Sequence, residues 1–201
     1  MLRDEGFIWR VANRGLVVQD RRPVVVDLTL AVAPGNTLGP WESTCQHAGV
    51  AGQMVMTGVH QEPAAVDVAE ALDLRTGDPV VVRSRHATID GQAVQLDTAL
   101  YPLALVDGTP VARSGKNVGG IYAALTEAGM VPAVIARQVV GSRPASDDEA
   151  TQLKLPRGAW VLTVERVTND AHGRPVELLR FVANPLRVRL LEEGLPLTPP
   201  A

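Results

Sequence analysis

Two pairs of segments alternate between apolar and polar residues, which is the pattern of β-strands with one buried face. The first pair spans residues 79–88 and 93–100, and the second spans residues 160–168 and 175–182. A short connection containing glycine joins the two segments of each pair. Because such a connection is too short for a parallel crossover, each pair is predicted to form an antiparallel hairpin.

The two hairpins belong to an internal repeat. In each copy a helical pattern, at residues 65–74 and 146–155, precedes a tight turn and then the hairpin. Corresponding positions carry the same residue in both copies: Gly77 and Gly158, Arg85 and Arg166, Gly91 and Gly173. Two such units related by pseudo-symmetry predict an α+β fold, an antiparallel β-sheet with helices packed on one face.

Three further elements follow from local patterns. Apolar residues at helical spacing predict a helix over residues 120–129, between the two copies. Residues 40–49 are predicted to form a short helix, and residues 50–57 a strand. Ser146 followed by Glu149 is the signature of a capping box at the start of the second repeat helix.

The first residues differ in pattern from the rest. Residues 2–6 are typical of a helix end, with Gly6 as its stop. Residues 8–11 and 15–19 are predicted to form two short strands around a turn that contains asparagine and glycine. Residues 20–23 are charged, end in proline and are predicted to be a linker.

Composition narrows the classes of function. The 201 residues are 46% hydrophobic but only 3% aromatic, so valine, leucine and alanine must build the core. The net charge is −3, whereas compact nucleic-acid binders are usually basic. This balance disfavours DNA binding by the chain on electrostatic grounds alone.

The single cysteine, Cys45, excludes a disulfide within the chain. We expect a buried thiol rather than a nucleophile, because His47 is two residues away and would point to another face of a helix. No run of about 18 apolar residues and no signal peptide is evident, so we expect a soluble, cytoplasmic protein without membrane contact.

An ordered series of residues resembles the UTRA effector-binding domain of GntR-family, HutC-type transcription regulators. The series spans residues 25–192 and reads Leu72-Asp73-Leu74, Gly77, Pro79-Val80, Arg85, Asp90-Gly91, Val94, Gly120-Ile121-Tyr122, Leu125, Gly129, Leu155, Gly158, Arg166, Gly173-Arg174-Pro175-Val176-Glu177 and Arg187-Val188-Arg189. The resemblance implies a chorismate-lyase-like fold for residues 23–201 that binds a small effector.

Residues 1–22 resemble the end of the recognition helix and the wing of a GntR winged helix. The resemblance implies DNA contacts at the wing tip, through Arg14 and Gly15. The family's first two helices have no counterpart in this sequence, so we interpret residues 1–22 as a truncated remnant of that domain. Since those helices set the recognition helix in the major groove, we expect DNA binding only where a complete winged helix is present.

The resemblance also implies an effector site. Arg83 and Arg85 lie two apart on a predicted strand and therefore share a face. In the family this position holds arginines that grip a phosphate or carboxylate, which guanidinium binds in bidentate fashion. The alternative is a pair of surface or salt-bridged arginines.

The other candidate ligand-binding residues are Trp41, Asp97, Gly120, Tyr122 and Glu177. By resemblance, Gly120 and Tyr122 open a helix that contacts the anion, and the two carboxylates accept hydrogen bonds from the ligand. The alternatives are helix packing for Tyr122 and strand-edge charges for Asp97 and Glu177.

Two positions depart from the family. Trp41-Glu42 stands where sugar-phosphate sensors tend to have phenylalanine and then serine or threonine, and Ala183 stands where many have tyrosine. A carboxylate at Glu42 would disfavour a dianionic phosphate nearby. These departures favour a bulkier or partly cationic ligand.

We therefore expect a non-catalytic sensor that binds a small anionic metabolite and controls DNA binding as a homodimer, with no cofactor and no metal. The alternative is a stand-alone enzyme, because the implied fold is shared with chorismate lyase. The sequence shows no paired acid and base, no Ser-His-Asp series and no metal-ligand cluster, which favours the sensor.

Overall fold

A computed structural model describes residues 8–11, 15–18, 23–28, 39–115 and 120–193. The β-strands are β1 Ile8–Val11, β2 Gly15–Val18, β3 Val24–Asp27, β4 Gly52–Pro63, β5 Pro79–Ile89, β6 Gln92–Pro102, β7 Pro132–Pro144, β8 Trp160–Asp170, β9 Pro175–Ala183 and β10 Val188–Leu191. The helices are α1 Pro40–His47, α2 Val66–Leu72, α3 Leu103–Val106, α4 Ile121–Glu127 and α5 Asp147–Gln152, with a 3-10 turn at Pro110–Ala112.

Six strands form one antiparallel sheet in the order β4-β5-β6-β9-β8-β7. Both predicted hairpins are present, as β5–β6 and β8–β9. Each repeat copy also contains a strand ahead of its helix, β4 in the first and β7 in the second, so the repeated unit is strand-helix-strand-strand. The α+β class and its antiparallel sheet are confirmed.

Strand β7 is absent from the sequence prediction, and β4 extends beyond the predicted residues 50–57. Both strands lie at the edges of the sheet. Most side chains of β7 are exposed, and their burial does not alternate simply along the strand. Register shifts between Pro132 and Val134 and between Ile135 and Arg137 also interrupt the two-residue period.

Helices cover both faces of the sheet, and the prediction of helices on one face is wrong. Val80 and Val82 pack with helix α2, whereas Val81, between them, packs with residues of α3 and α4. Alternate residues of a strand point to opposite faces, so a run of buried valines indicates a strand buried on both sides.

A separate parallel ribbon joins β3 to β10. Val24 and Leu28, at the two ends of this segment, are buried with Trp41, Val164 and Phe181. The ribbon and helix α1 therefore cover one end of the sheet face that α3 and α4 cover at the other end.

The predicted amino-terminal hairpin is confirmed, because β1 pairs antiparallel with β2. The predicted helix end at residues 2–6 and the wing residue Arg14 lie outside the described residues. Gly15 begins β2 with φ of +75°, a conformation that glycine adopts without strain.

The capping box is confirmed. Ser146 accepts from the Glu149 amide, and the Glu149 carboxylate accepts from the Ser146 amide. Among the described residues, no helix is long and apolar enough to cross a lipid bilayer.

Candidate functional site

Charged and hydroxyl-bearing side chains gather on one face of the sheet where the two repeat copies meet. Strands β6 and β9 lie side by side at this junction. The register places Asp97 opposite Arg85, and Glu177 opposite Thr168. Helix α4 adds Tyr122. We call the set the polar cluster: Arg85, Gln95, Asp97, Tyr101, Tyr122, Thr168 and Glu177.

Glu177 is the centre of one half of the cluster. Its side chain is buried, and each carboxylate oxygen accepts a hydrogen bond from a tyrosine hydroxyl. Tyr101 donates to Oε1 at 2.5 Å, and Tyr122 donates to Oε2 at 2.8 Å. The Tyr122 oxygen also lies 3.2 Å from the Thr168 hydroxyl. Strands β6 and β9 and helix α4 therefore meet at one carboxylate, and β8 joins them through the Tyr122 hydroxyl.

Arg85 and Asp97 form the other half, and their contact is loose. The Nη2 atom of Arg85 lies 3.4 Å from the Asp97 carboxylate, which also accepts from Gln95 at 2.8 Å. The buried Nε of Arg85 and Oε1 of Gln95 have no partner among the described residues. A buried donor without an acceptor costs about 1–3 kcal/mol, so this half has an unmet demand for hydrogen bonds.

Burial controls the ionisation of the cluster. Burial raises the pKa of Asp97, although the charge of Arg85 opposes this effect. Burial, followed by the charge of Glu177, raises the pKa of Tyr101 and of Tyr122. Both hydroxyls therefore remain protonated donors at neutral pH. For Arg85, burial is outweighed by Asp97 and other nearby groups, so its pKa is raised and it stays a cation.

Comparisons with known proteins show the family to which the chain belongs. The UTRA domain family matches residues 49–189, about two thirds of the chain. The chain belongs to the UTRA domain family. An uncharacterized HTH-type transcriptional regulator of Rhizobium meliloti (strain 1021) is 26% identical over 191 residues, which are 94% of this chain and 75% of that protein.

Two solved structures extend the comparison. A GntR-family transcriptional regulator has 26% identity and a TM-score of 0.75, covering 98% of this chain and 79% of that one. PhnF from Mycobacterium smegmatis has 19% identity and a TM-score of 0.73, covering 96% of this chain and 80% of that one, and shares the fold. The chain contains the ligand-binding UTRA domain of GntR-family transcription regulators.

Within this UTRA domain, four of the predicted ligand-binding residues come together: Arg85, Asp97, Tyr122 and Glu177. Arg83 shares their sheet face but is engaged elsewhere. Its guanidinium donates to three backbone carbonyls, those of Val111, Arg113 and Gly115, at 2.7–2.8 Å. Arg83 thus secures the 3-10 turn and the residues that follow it.

Within the described residues, Trp41 and Gly120 lie outside the hydrogen-bond network of the polar cluster. Trp41 is buried beside Cys45, and its indole N–H donates to the Thr88 carbonyl at 3.0 Å. Core packing accounts for these contacts of Trp41 without a ligand. Gly120 precedes helix α4 with φ of +88°, and it places Tyr122 in the first turn.

The sequence prediction omitted Gln95, Tyr101 and Thr168 from the polar cluster, and it also omitted the neighbouring Arg166. Gln95 and Tyr101 lie two before and four after Asp97 on β6, so strand alternation could have placed them on the same face. Arg166 was visible as the repeat counterpart of Arg85. It is buried, and it donates to Gln138 at 2.7 Å and to the Leu28 carbonyl at 2.8 Å.

Cys45 does not have the surroundings of a nucleophile. Burial, followed by the charges of Glu42 and Asp90, raises its pKa to about 11, so the thiol stays protonated at neutral pH. The described hydrogen bond of the His47 ring is not with this thiol. The ring atom Nδ1 lies 2.8 Å from the carbonyl oxygen of Ser43. Within the described ranges, no group of three His, Cys, Asp or Glu residues is arranged to hold a metal ion.

Two shallow surface grooves of about 500 Å³ and 540 Å³ lie away from the polar cluster. One follows helix α1 and the start of β4, and the other runs beside Asp67 and Arg180 on the opposite face of the sheet. We assign the candidate site to the polar cluster, because buried ionisable groups with unmet hydrogen bonds indicate a ligand more directly than an open groove does.

Proposed function

We propose that the polar cluster is the effector site of this UTRA domain and that Arg85 binds an anionic group of a small metabolite. The observation that carries the proposal is the buried Nε of Arg85, which has no acceptor in the described part of the chain. A carboxylate or phosphate oxygen would supply that acceptor, and a guanidinium offers two parallel donors to such a group.

The charges of the sheet face support an anionic ligand. Of the described residues assigned to this face, Arg83, Arg85 and Arg166 carry three positive charges, and Asp97 and Glu177 carry at most two negative charges, because burial raises the pKa of Asp97. The carboxylate of Asp97 and the unpartnered Oε1 of Gln95 are acceptors. They suit a hydroxyl or amine on the same metabolite. Arg83 would position the segment at residues 111–115 beside the site.

We further propose that the protein is a non-catalytic sensor and acts as a homodimer. The similar proteins are transcription regulators, and the buried thiol of Cys45 and the protonated tyrosines offer no nucleophile at neutral pH. The exposed valines of edge strand β7, Val134, Val139 and Val140, offer apolar surface that a second copy would cover.

Residues 1–22 remain a proposed part of a winged helix, with residues 23–201 as the effector domain. The antiparallel pairing of β1 with β2 supports the hairpin of a wing. A gel shift that compares Arg14→Ala with wild type, in a chain with a complete winged helix, checks the proposed DNA contact.

A thermal-shift screen of small carboxylates and sugar phosphates tests the proposed function. We expect at least one compound to raise the melting temperature and to be recovered chemically unchanged, with light scattering at tens of micromolar showing a dimer. Consumption of the stabilising compound would contradict the non-catalytic assignment. A screen in which no anion stabilises the protein would contradict the effector site.

A further inference from the structure

Arg166 links strand β8 of the central sheet to the segment around β3, with which the proposed effector domain begins. It projects from β8, and its Nη2 donates to the carbonyl of Leu28, the residue that follows β3. Its Nε donates to Gln138 on the neighbouring strand β7. Arg166 is 2% exposed, so its bond to the Leu28 carbonyl is shielded from water and is stronger than a surface contact, whereas its bond to Gln138 is only partly buried.

Within the described residues, strand β3 is held by its pairing with β10 and by packing against helix α1 and the sheet. Its main-chain pairing is with β10 alone, and its ends are anchored by the buried side chains of Val24 and Leu28. The hairpin β1–β2 lies immediately before it in the sequence. Whatever changes the docking of β3 therefore acts on the segment between the hairpin and the effector domain.

Arg166 is also next to the proposed effector site. Thr168, two residues along β8 and on the same face, touches the hydroxyl of Tyr122, which donates to Glu177. Burial raises the pKa of Tyr122, and the positive charge of Arg166 opposes that rise, so the two groups interact electrostatically. A ligand that engages Glu177 or Tyr122 alters the surroundings of the same guanidinium.

The internal repeat gives the two arginines different tasks. Arg85 and Arg166 occupy corresponding positions, but Arg85 has a buried donor without an acceptor, whereas Arg166 uses its donors on Gln138 and the Leu28 carbonyl. Arg85 thus has a donor available for a ligand, whereas Arg166 anchors the segment that contains Leu28.

We infer that Arg166 is a positioning residue that couples the Tyr122–Glu177 side of the effector site to the docking of strand β3. This inference rests on the proposed function of the polar cluster. A change in the contacts of Tyr122 or Glu177 reaches β3 through the guanidinium of Arg166 and the carbonyl of Leu28. The coupling is a free energy shared by two places in the domain, and it is measurable without the effector.

Hydrogen exchange of the Leu28 amide, which donates to Leu191 across the β3–β10 ribbon, reports the docking of β3. Arg166→Met retains the apolar stem and removes both hydrogen bonds, so we expect exchange to rise about tenfold, as on loss of a charged hydrogen bond. Arg166→Lys retains one donor and should restore part of the protection.

Arg83→Met is the matched control. It removes an equally buried arginine that also donates to backbone carbonyls, but those carbonyls lie at residues 111–115. We expect exchange near that segment to rise and exchange at Leu28 to stay within twofold of wild type. An equal rise at Leu28 in Arg83→Met would show general loosening and would overturn the specific role of Arg166.

A double-mutant cycle separates coupling from mere support. Tyr122→Phe removes the hydroxyl that joins Glu177 to Thr168. We expect it to change Leu28 exchange severalfold in the wild-type background and less than twofold in Arg166→Met. An equal effect in both backgrounds, or none in either, would overturn the inference. If Arg166→Met does not fold, the same cycle with Arg166→Lys decides it.

The cycle contains no ligand, so its failure leaves the proposed effector site standing. Conversely, unchanged effector affinity in Arg85→Ala would overturn the effector site and would leave the measured coupling between Tyr122 and Leu28 in place. The two results are therefore distinguishable.

Discussion

Gly52 lies where strand β4 crosses helix α1, and any side chain there would meet the core. A Cβ atom at this position would lie 2.1 Å from the sulfur and 2.5 Å from the Cβ of Cys45. Since Cys45 is fully buried, the backbone must shift to make room. We expect Gly52→Ala to lower the free energy of unfolding by about 3 kcal/mol, near the upper end for an overpacked core.

Gly58→Ala on the same strand is the control, because a Cβ atom there meets nothing within 4 Å. We expect it to be neutral or slightly stabilising, by up to about 0.5 kcal/mol, in urea denaturation. Equal losses in the two variants would show that the strand, rather than the contact with Cys45, controls the outcome.

For single residues, the sequence predicted the sheet face on which a side chain lies better than the groups that the side chain contacts. Strand alternation placed Arg83 and Arg85 on one face, which is confirmed by their shared strand register. It could not predict that Arg83 would bind carbonyls at residues 111–115, because that contact depends on how a later loop returns to the sheet. The burial of Trp41 beside Cys45 likewise depends on tertiary packing, which the local sequence pattern does not show.

Among the elements, helix α5 has a charged capping box whose strength depends on pH. A hydrogen bond from Arg143, with a further one from the Ser146 amide, lowers the pKa of Glu149 from 4.5 to about 2 despite partial burial. A pKa that is lower in the folded state stabilises the protein above the unfolded value and loses that effect as pH falls.

We therefore expect Glu149→Gln to cost about 1 kcal/mol at pH 7, after allowance for the exposed Arg143. The difference from wild type should shrink between about pH 4.5 and pH 2, because the wild-type carboxylate becomes protonated there. Chemical denaturation across that range measures it. A difference that stays constant down to pH 2 would show that the charge of Glu149 does not contribute.

Elements with local signals were predictable, and those without them were not. Glycine turns gave both repeat hairpins, and Ser146 with Glu149 gave the start of α5. Strand β7 was missed because its register shifts disrupt alternation. The pairing of β3 with β10 joins residues from opposite ends of the sequence, and no local pattern records such a contact.

For the whole molecule, the internal repeat indicated the α+β class but not the arrangement of its copies. The polar cluster forms because β6 and β9, the last strands of the two copies, lie side by side. That adjacency brings Asp97 from one copy near Glu177 from the other, although each sits in an ordinary hairpin strand. The resemblance to UTRA domains, rather than the repeat itself, supplied the expectation that these carboxylates share a site.

Calorimetry of an effector found by the thermal-shift screen tests whether Arg85 binds the anionic group of that effector. Arg180→Ala is the matched control, because this arginine lies on β9, points to the opposite face and pairs with Asp67 and Glu165. Losing one side of a buried charged hydrogen bond costs about 2–5 kcal/mol. We predict that Arg85→Ala weakens binding roughly 30-fold or more while Arg180→Ala changes it less than about threefold, both with wild-type-like melting curves. Unchanged affinity in a folded Arg85→Ala variant would show that Arg85 does not bind the anionic group of the effector.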